Sequence, residues 1–201
     1  MILDEYPKEI TLKDGSSVTL RPMVEDDEAG LLEFFTGLSK ADRLYLRHDV
    51  SNPEVIKSWA QNIDYERVLP ILAIADGKIA GDATLHRNPF SWMRHVGSIR
   101  IVVGKEFREK GLARIMAAEV FQNALAAKLE KLVAEMLPDQ QDARRVFSRL
   151  GFIEEAVLKD HVLDANDVKH DLLIMTNDVN TLWQQWVEFS ESVSGSWHME
   201  D

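Results

Sequence analysis

The stretch Arg108-Glu109-Lys110-Gly111-Leu112-Ala113 follows an apolar run that ends at Val103, and it opens a helical pattern that extends to Leu129. A strand, a glycine-bearing turn and a helix N-terminus in this order bind anions. The first N–H groups of a helix have no partner within it, and the helix dipole adds partial positive charge there. Gly111 lacks a Cβ, so a phosphate can approach the main chain. We therefore predict a pyrophosphate site at this turn, surrounded by four basic side chains: Lys105, Arg108, Lys110 and Arg114.

Two common nucleotide-binding motifs do not match this turn. The P-loop requires Gly-x-x-x-x-Gly-Lys-Ser/Thr, and the chain contains no such run. The dinucleotide-binding turn requires Gly-x-Gly-x-x-Gly after the first strand of a βαβ unit, whereas this turn has one glycine and lies in mid-chain. The expected pyrophosphate therefore belongs to another kind of ligand.

The composition narrows the classes of function. The 201 residues include 45% hydrophobic residues and carry a formal net charge of −11, which fits one domain, with or without a small appendage. An acidic chain disfavours nucleic-acid binding, because that function needs clustered basic side chains. The absence of cysteine excludes disulfides, thiolate metal sites and a cysteine nucleophile. No signal-peptide pattern and no apolar run of membrane-spanning length are present, so we expect a soluble, cytoplasmic protein.

Hydrophobic periodicity and turn residues predict alternating strands and helices. The predicted strands are Ser17–Pro22, entered by Thr11-Leu12 as a short hairpin arm, then Leu69–Ala75, Lys78–Arg87, Val96–Val103, Lys131–Leu137, Phe152–Leu163 and Val168–Met175. The predicted helices contain Leu31 to Leu38, about Lys40 to His48, a segment from Pro53, Leu112 to Leu129, Gln141 to Leu150, and about Val179 to Ser190. Gly151 is expected to end the fifth helix as its C′ residue.

Three segments, in this order, resemble the GNAT superfamily of acyl-CoA-dependent N-acyltransferases. The spacing Arg-x-x-Gly-x-Ala over residues 108–113 resembles the family's pyrophosphate loop, usually written Gln/Arg-x-x-Gly-x-Gly/Ala. Asp142 to Phe152 is similar to the family's Asn-x-x-Ala-x-x-x-Tyr-x-x-x-Gly-Phe segment, and His170 to Met175 resembles its closing strand. The resemblance extends over about residues 17–176.

The resemblance implies a fold of the α/β (α+β) class. Its sheet is mixed and mostly antiparallel, is flanked by helices, and splays between its fourth and fifth main strands, here Val96–Val103 and Lys131–Leu137. A GNAT domain would then occupy residues 1–176, with its core over about 17–176, and a C-terminal helix and tail would occupy residues 177–201. That last segment has an apolar stripe, which is expected to pack on the domain or on a partner subunit: Leu182, Trp183, Trp186, Val187 and Phe189.

The resemblance also implies acetyl-CoA as cosubstrate and no metal. The pantetheine arm would pair with the main chain of Ile101, Val102 and Val103, as an extended peptide pairs with a strand edge. The N–H of Val103 would stabilise the oxyanion that forms on the thioester. The other residues expected at the cosubstrate are Arg108, Glu109, Lys110, Gly111, Leu112, Ala113 and Arg114 around the pyrophosphate, and Asp142, Arg144 and Phe147 on the next helix.

In this family the acceptor amine attacks the thioester directly, so it must first lose a proton from a group whose pKa is roughly 10.4. A common base position of the family falls on Ser98, which could order a water but is a poor base. The usual acid, a tyrosine, is replaced by Phe147. Glu135 on the fifth main strand and His86 at the end of the third are alternative bases, and the choice stays open. Three further histidines lie in a loop or on the last hairpin: His95, His161 and His170.

The first quarter of the chain bears on the acceptor. Thr19–Asp27, Phe34–Ser39 and Arg43-x-x-x-Arg47 resemble the acetyltransferase domain of bacterial Pat-type protein-lysine acetyltransferases. We therefore expect acetyl transfer to a protein lysine or to a small primary amine, which an acidic surface attracts. We expect no nucleic-acid or membrane partner, and a homodimer is compatible with the sequence. Because Ser98 and Phe147 replace the usual catalytic residues, the alternative is a GNAT-fold acyl-CoA-binding or regulatory module with little turnover.

Overall fold

The computed structural model describes residues 3–39, 42–43, 46, 48–164 and 166–179, which form one eight-stranded sheet with helices on both faces. The strand order is β1-β2-β3-β4-β5-β6-β8-β7, and each neighbouring pair is antiparallel except β5 and β6. The strands are β1 Lys8–Thr11, β2 Ser17–Pro22, β3 Val68–Ala75, β4 Lys78–Arg87, β5 Val96–Val103, β6 Lys131–Met136, β7 Ile153–Leu163 and β8 Lys169–Asp178.

Two described helices pack on each face of the sheet. One face, called here the α1 face, is covered by α1 and α2, whose apolar side chains enclose Leu72 of β3. The other face, the α3 face, holds the larger core, in which α3 and α4 pack against residues such as Ile99 and Leu132. The helices are α1 Glu28–Gly37, α2 Pro53–Gln61, α3 Leu112–Ala126 and α4 Gln141–Arg149.

The two strands β5 and β6 lie side by side only where they begin. Their parallel pairing extends from Val96 opposite Lys131 to Ser98 opposite Val133. Beyond that point β5 continues along β4, and β6 continues along β8. Ile99–Val103 therefore has one edge without a described strand beside it, and a wedge opens between β5 and β6. The predicted GNAT sheet, splayed between its fourth and fifth main strands, is confirmed.

Several element ends follow from local backbone geometry. Gly151 has a φ of 82°, and the N–H of Phe152 donates to the carbonyl of Phe147 at 3.0 Å, so α4 ends as predicted. The helix α3 ends at Ala126 rather than at the predicted Leu129. The reason is the same kind of cap: Lys128 adopts a φ of 56°, and the N–H of Leu129 donates to the carbonyl of Ala124.

The two ends of the domain differ from the prediction. The N-terminal arm is a strand, β1, which pairs with β2 over four residues. At the other end β8 extends to Asp178, so the predicted boundary after residue 176 falls inside a strand. Beyond Val179, the predicted helix and the apolar stripe at 182–189 lie outside the described residues, as do residues 40, 41, 44, 45 and 47 of the predicted helix at 40–48. No described helix is long and apolar enough to cross a membrane.

The start of the wedge depends on a residue without a side chain, Gly97. A Cβ at this position would lie 2.7 Å from Leu129 Cδ1 and 3.1 Å from Leu132 Cδ2. We expect Gly97→Ala to lower the free energy of unfolding by about 1–3 kcal/mol, because overpacking a core costs this much. Gly37→Ala, where the space around the Cβ is open, should leave that free energy unchanged or raise it by up to about 1 kcal/mol. Urea denaturation measures both, and equal effects would contradict the packing argument.

Candidate active site

The predicted pyrophosphate turn has the backbone geometry of an anion site. Gly111 is the N-cap residue of α3 and has a φ of 91°, and Glu109 has a φ of 64°. Positive φ at these two positions, on either side of Lys110, turns successive N–H groups toward one concave side, as in other anion-binding backbone turns. The N–H groups of Leu112 and Ala113 open the helix and have no partner within it.

The backbone requires a glycine at position 111, which lies against the N-terminal hairpin. A Cβ there would lie 3.4 Å from Cε of Lys13, and the positive φ would be strained for any other residue. The N–H of Lys13 donates to the carbonyl of Lys110 at 3.2 Å, and Nζ of Lys110 lies 2.8 Å from Oδ2 of Asp14. Lys110, followed by the Ser16 hydroxyl, holds the pKa of Asp14 well below its usual range. The turn between β1 and β2 thus supports the phosphate turn, a contact that sequence reasoning missed.

Arg108 joins the phosphate turn to two other parts of the domain. Its Nε donates to the carbonyl of Val103 at 3.2 Å, and its Nη2 lies 3.0 Å from Oδ2 of Asp42. Burial would raise the pKa of Asp42, but hydrogen bonds from Arg108 and Ser39 outweigh it and hold that pKa below its usual value. Asp42 lies between α1 and α2, so a ligand phosphate that attracts Arg108 competes with a carboxylate of that segment.

The open edge of β5 presents alternate main-chain groups to the wedge. The N–H of Gly104 donates to the carbonyl of Ala80 at 2.8 Å, which fixes the phase of hydrogen bonding between β4 and β5. In an antiparallel ladder this direction alternates, so the N–H of Val102 also points to β4. Those of Ile101 and Val103 point into the wedge. Of the three residues predicted to pair with pantetheine, Ile101 and Val103 therefore have the suitable orientation.

The three predicted catalytic residues do not meet at one point. Ser98 of β5 and His86 of β4 are directly opposite each other, and both are half-buried. Glu135 lies on β6, two residues beyond the last pair with β5, opposite Ile174 of β8, and is exposed. All three lie on the α1 face, because their neighbours Leu85, Ile99 and Ala134 are in the core of the α3 face. The less favoured histidines lie elsewhere: His95 and His161 are exposed, and His170 pairs with Asp164 at 3.1 Å.

Asp82 of β4 is a half-buried acidic residue that sequence reasoning missed. It lies on the α1 face opposite Val102 and accepts hydrogen bonds from Oγ1 of Thr84 at 3.1 and 3.3 Å. Desolvation raises its pKa to about 7, although the Thr84 hydroxyl and the charge of Arg100 act in the opposite direction. One feature of the sequence could have indicated Asp82: it is an acidic residue inside the mostly apolar run Ile79–Leu85 of a strand, where burial is expected.

The family profile described as the acetyltransferase (GNAT) domain matches residues 17–153. The chain belongs to the GNAT acetyltransferase family. This family uses acetyl-CoA and transfers acetyl groups. Among the described residues, no group of three or more His, Asp or Glu side chains could hold a metal ion.

Solved GNAT structures share this fold at low sequence identity. The GNAT domain of S. lividans PAT is 17% identical with a TM-score of 0.73, and the match covers 87% of this chain and 97% of that chain. The ribosomal-protein-S5-alanine acetyltransferase from Vibrio fischeri is 16% identical with a TM-score of 0.71 and coverages of 85% and 96%. A putative acetyltransferase from Salmonella typhimurium, solved with its cofactor acetyl-CoA, is 18% identical with a TM-score of 0.68 and coverages of 81% and 94%.

The second GNAT segment aligns differently from the first prediction. Counting back from Gly151-Phe152 places Gln140, rather than Asp142, at the asparagine position. Gln140 is the N-cap residue of α4, and its Oε1 accepts from the N–H of Leu137 at 2.7 Å. The side chain of Asp142 is fully exposed, and the N-cap position of α4 is occupied by Gln140, whose side chain makes no hydrogen bond to the start of the helix.

The other two residues predicted to contact the cosubstrate from α4 are held within the protein. The ring of Phe147 is buried and lies 5.0 Å from that of Phe152, centroid to centroid. The guanidinium of Arg144 donates to Glu154 and, at 3.0 Å, to the carbonyl of Pro138. Both therefore stabilise the junction of α4 with β6 and β7, and a phenylalanine at position 147 has no proton to donate.

The raised pKa of Asp82 predicts a pH dependence of stability. Because the folded state binds this proton more tightly than the unfolded state, the free energy of unfolding should fall as the pH rises from about 4 to about 7. Each pKa unit corresponds to about 1.4 kcal/mol, so wild type should lose on the order of 2–4 kcal/mol more than Asp82→Asn across this range. Urea denaturation at pH 4, 5.5 and 8 measures the difference. Asp76→Asn, at an exposed turn on the same hairpin, should keep the wild-type dependence; an unchanged slope in Asp82→Asn would refute the assignment.

Proposed function

We propose that the protein is an acetyl-CoA-dependent N-acetyltransferase that acts on a primary amine, either a protein lysine or the amine of a small molecule. The observation that carries this proposal is that two main-chain features lie next to each other in the chain, one on strand β5 and one in the turn that follows it. The edge of β5 is open over Ile99–Val103, and the same chain then forms the anion-binding turn at Gly111. An extended acyl-CoA arm with a pyrophosphate at its far end matches both.

The residues available to acetyl-CoA are mainly backbone groups. Main-chain groups of Ile101 and Val103 would pair with the pantetheine amides, and the N–H groups of Leu112 and Ala113 would bind the pyrophosphate. Arg108 would add charge after leaving Asp42, which lies 3.0 Å from it. The preformed turn needs no large rearrangement for this binding, since Gly111 already caps α3.

Direct attack by an amine accounts for the chemistry. The N–H of Val103 lies at the open edge, where it would stabilise negative charge on the thioester oxygen. The leaving thiolate belongs to a thiol with a pKa of about 8.5, so it needs less protonation than an alkoxide. A buried phenylalanine at position 147 therefore weakens acid catalysis without preventing transfer.

The proposed class of acceptor is a cationic amine. The formal net charge of −11 raises the encounter rate with positive groups. One structural neighbour supports protein acceptors as candidates: the Vibrio fischeri enzyme, whose name specifies an alanine of ribosomal protein S5. The rival proposal is an acyl-CoA-binding module with little turnover, which Ser98 and Phe147 favour.

Two measurements separate these proposals. Calorimetry should detect acetyl-CoA binding to the full chain, and a free-thiol assay should then detect CoA release with a panel of small amines and lysine peptides. Release that depends on an added amine supports the transferase. Binding without release on any acceptor would favour the module, and absence of binding would overturn both.

Glu109 offers a sharper test of the phosphate turn. It is exposed, has a φ of 64°, and places a carboxylate beside the proposed pyrophosphate. We expect Glu109→Gln to bind acetyl-CoA several-fold more tightly, because it removes a repulsive charge. Glu109→Gly removes the same charge and should show a similar gain, because relief of its backbone strain of roughly 1 kcal/mol stabilises the free and the bound protein alike. Weaker binding by both variants, measured calorimetrically at low salt, would place the pyrophosphate elsewhere.

A further inference from the structure

We propose that Asp82 accepts the proton that the acceptor's ammonium group must lose before it attacks the thioester. This inference rests on the proposed function and supplies the proton acceptor that Ser98, a poor base, leaves unassigned. It is carried by the place of Asp82 in the sheet and by the side chains around it.

Asp82 lies directly beside the strand that would hold the thioester. It is opposite Val102 in a hydrogen-bonded pair of β4 and β5, in which the two Cα atoms are roughly 5.5 Å apart. The next residue, Val103, directs its N–H into the wedge. Gly81 and Ala83 face the α3 side, so the carboxylate of Asp82 lies on the α1 face. Residue 82 as a whole is half-buried, and it lies on the face from which an acceptor can approach.

The surroundings fix the carboxylate and keep it reactive. The hydroxyl of Thr84, itself 7% exposed, donates to Asp82, and Arg100 of β5 attracts its charge. Leu72, its cross-strand partner on β3, is fully buried and contributes no charge. The charged and titratable groups nearest to Asp82 on this face of the sheet are Arg100 of β5, His86 of β4, and Arg21 of β2 with its partner Asp27; Lys78 of β4 pairs with Glu33 of α1.

A carboxylate in this setting suits proton transfer near neutral pH. Desolvation raises the pKa of Asp82 to about 7, so about half of the groups are ionised at that pH. A general base is most effective when its pKa lies near the working pH. Ser98 is a poor base, and Glu135 is exposed on β6, across the wedge from β5.

The proposed step conserves atoms and charge. The carboxylate of Asp82 takes one proton from the acceptor's ammonium group, and the freed lone pair attacks the thioester carbonyl carbon. The C–N bond forms and the C–S bond breaks, so the electron pair of that bond leaves with CoA as a thiolate. The second proton on nitrogen passes to the thiolate, which gives the amide and free CoA thiol. Asp82 then releases its proton to water.

The test is the pH dependence of kcat/KM in the thiol-release assay, with the amine that wild type acetylates fastest. In wild type, kcat/KM should rise with pH as Asp82 ionises and level off above about pH 7; this rising part of the profile is its acid limb. Asp82→Asn should lose that limb and at least about 100-fold in kcat/KM, the low end for removing a general base, while it still binds acetyl-CoA. Asp82→Glu should recover part of the rate. Asp76→Asn, the exposed carboxylate on the same hairpin, should behave as wild type.

Thr84→Val gives a second readout that a purely structural role of Asp82 would not produce. Its hydroxyl stabilises the ionised carboxylate, so its removal should move the limb to higher pH. An unchanged limb in both Asp82→Asn and Thr84→Val, with wild-type rates, would overturn the assignment of Asp82 and leave the transferase intact. If Asp82→Asn no longer binds acetyl-CoA, Thr84→Val decides the assignment: a limb at higher pH than in wild type supports Asp82 as the base, and an unchanged limb overturns it. A wild-type chain without amine-dependent thiol release would overturn the proposed function and this inference together.

Discussion

The separation of β5 from β6 after Ser98 and Val133 is the constraint on which the rest of the site depends. A buried strand edge must satisfy its N–H and C=O groups, and here β4 satisfies only one side of Ile99–Val103. The other side is available to a ligand with peptide-like amides. The wedge can open at this point because Gly97, at its start, lets Leu129 and Leu132 pack directly against the strand. Packing on the α3 face thus positions the N–H and C=O groups of Ile99–Val103 at the wedge.

Three residues from two separate parts of the chain stabilise the phosphate turn that follows β5. Lys13 packs over Gly111, Asp14 pairs with Lys110, and Asp42 pairs with Arg108. The first two contacts hold the turn from the N-terminal hairpin and leave the N–H groups at the start of α3 free to bind. The third is of another kind, since Asp42 occupies the guanidinium that an incoming pyrophosphate attracts. Binding of a pyrophosphate at this turn would thereby be linked to the segment between α1 and α2, which contains Asp42.

Local patterns in the sequence were sufficient for most of the fold and for the phosphate turn. The bounds of β4 and β5 match the predictions residue for residue, because turn and loop residues flank both strands, such as Asp76-Gly77 and Asn88-Pro89 around β4. Gly111 and Gly151 were identified because positive φ is encoded by the residue itself. Lys13, Asp42 and Asp82 escaped prediction because their roles arise from contacts across strands and loops far apart in sequence. Counting back from Gly151-Phe152 moves the asparagine position of the family segment from Asp142 to Gln140.

The two sides of β5 then divide the work of the proposed reaction. On its wedge edge, backbone groups hold a ligand by hydrogen bonds that depend little on side-chain identity, which is why Ile101 and Val103 can be ordinary core residues. On its α1 face, proton transfer depends on the identity and environment of side chains, and here this chain departs from the usual family pattern at Ser98. A carboxylate on β4 opposite Val102 reaches the same face from the neighbouring strand. Since desolvation rather than sequence position sets its pKa, such a group can replace a base lost from β5 without altering the cosubstrate site.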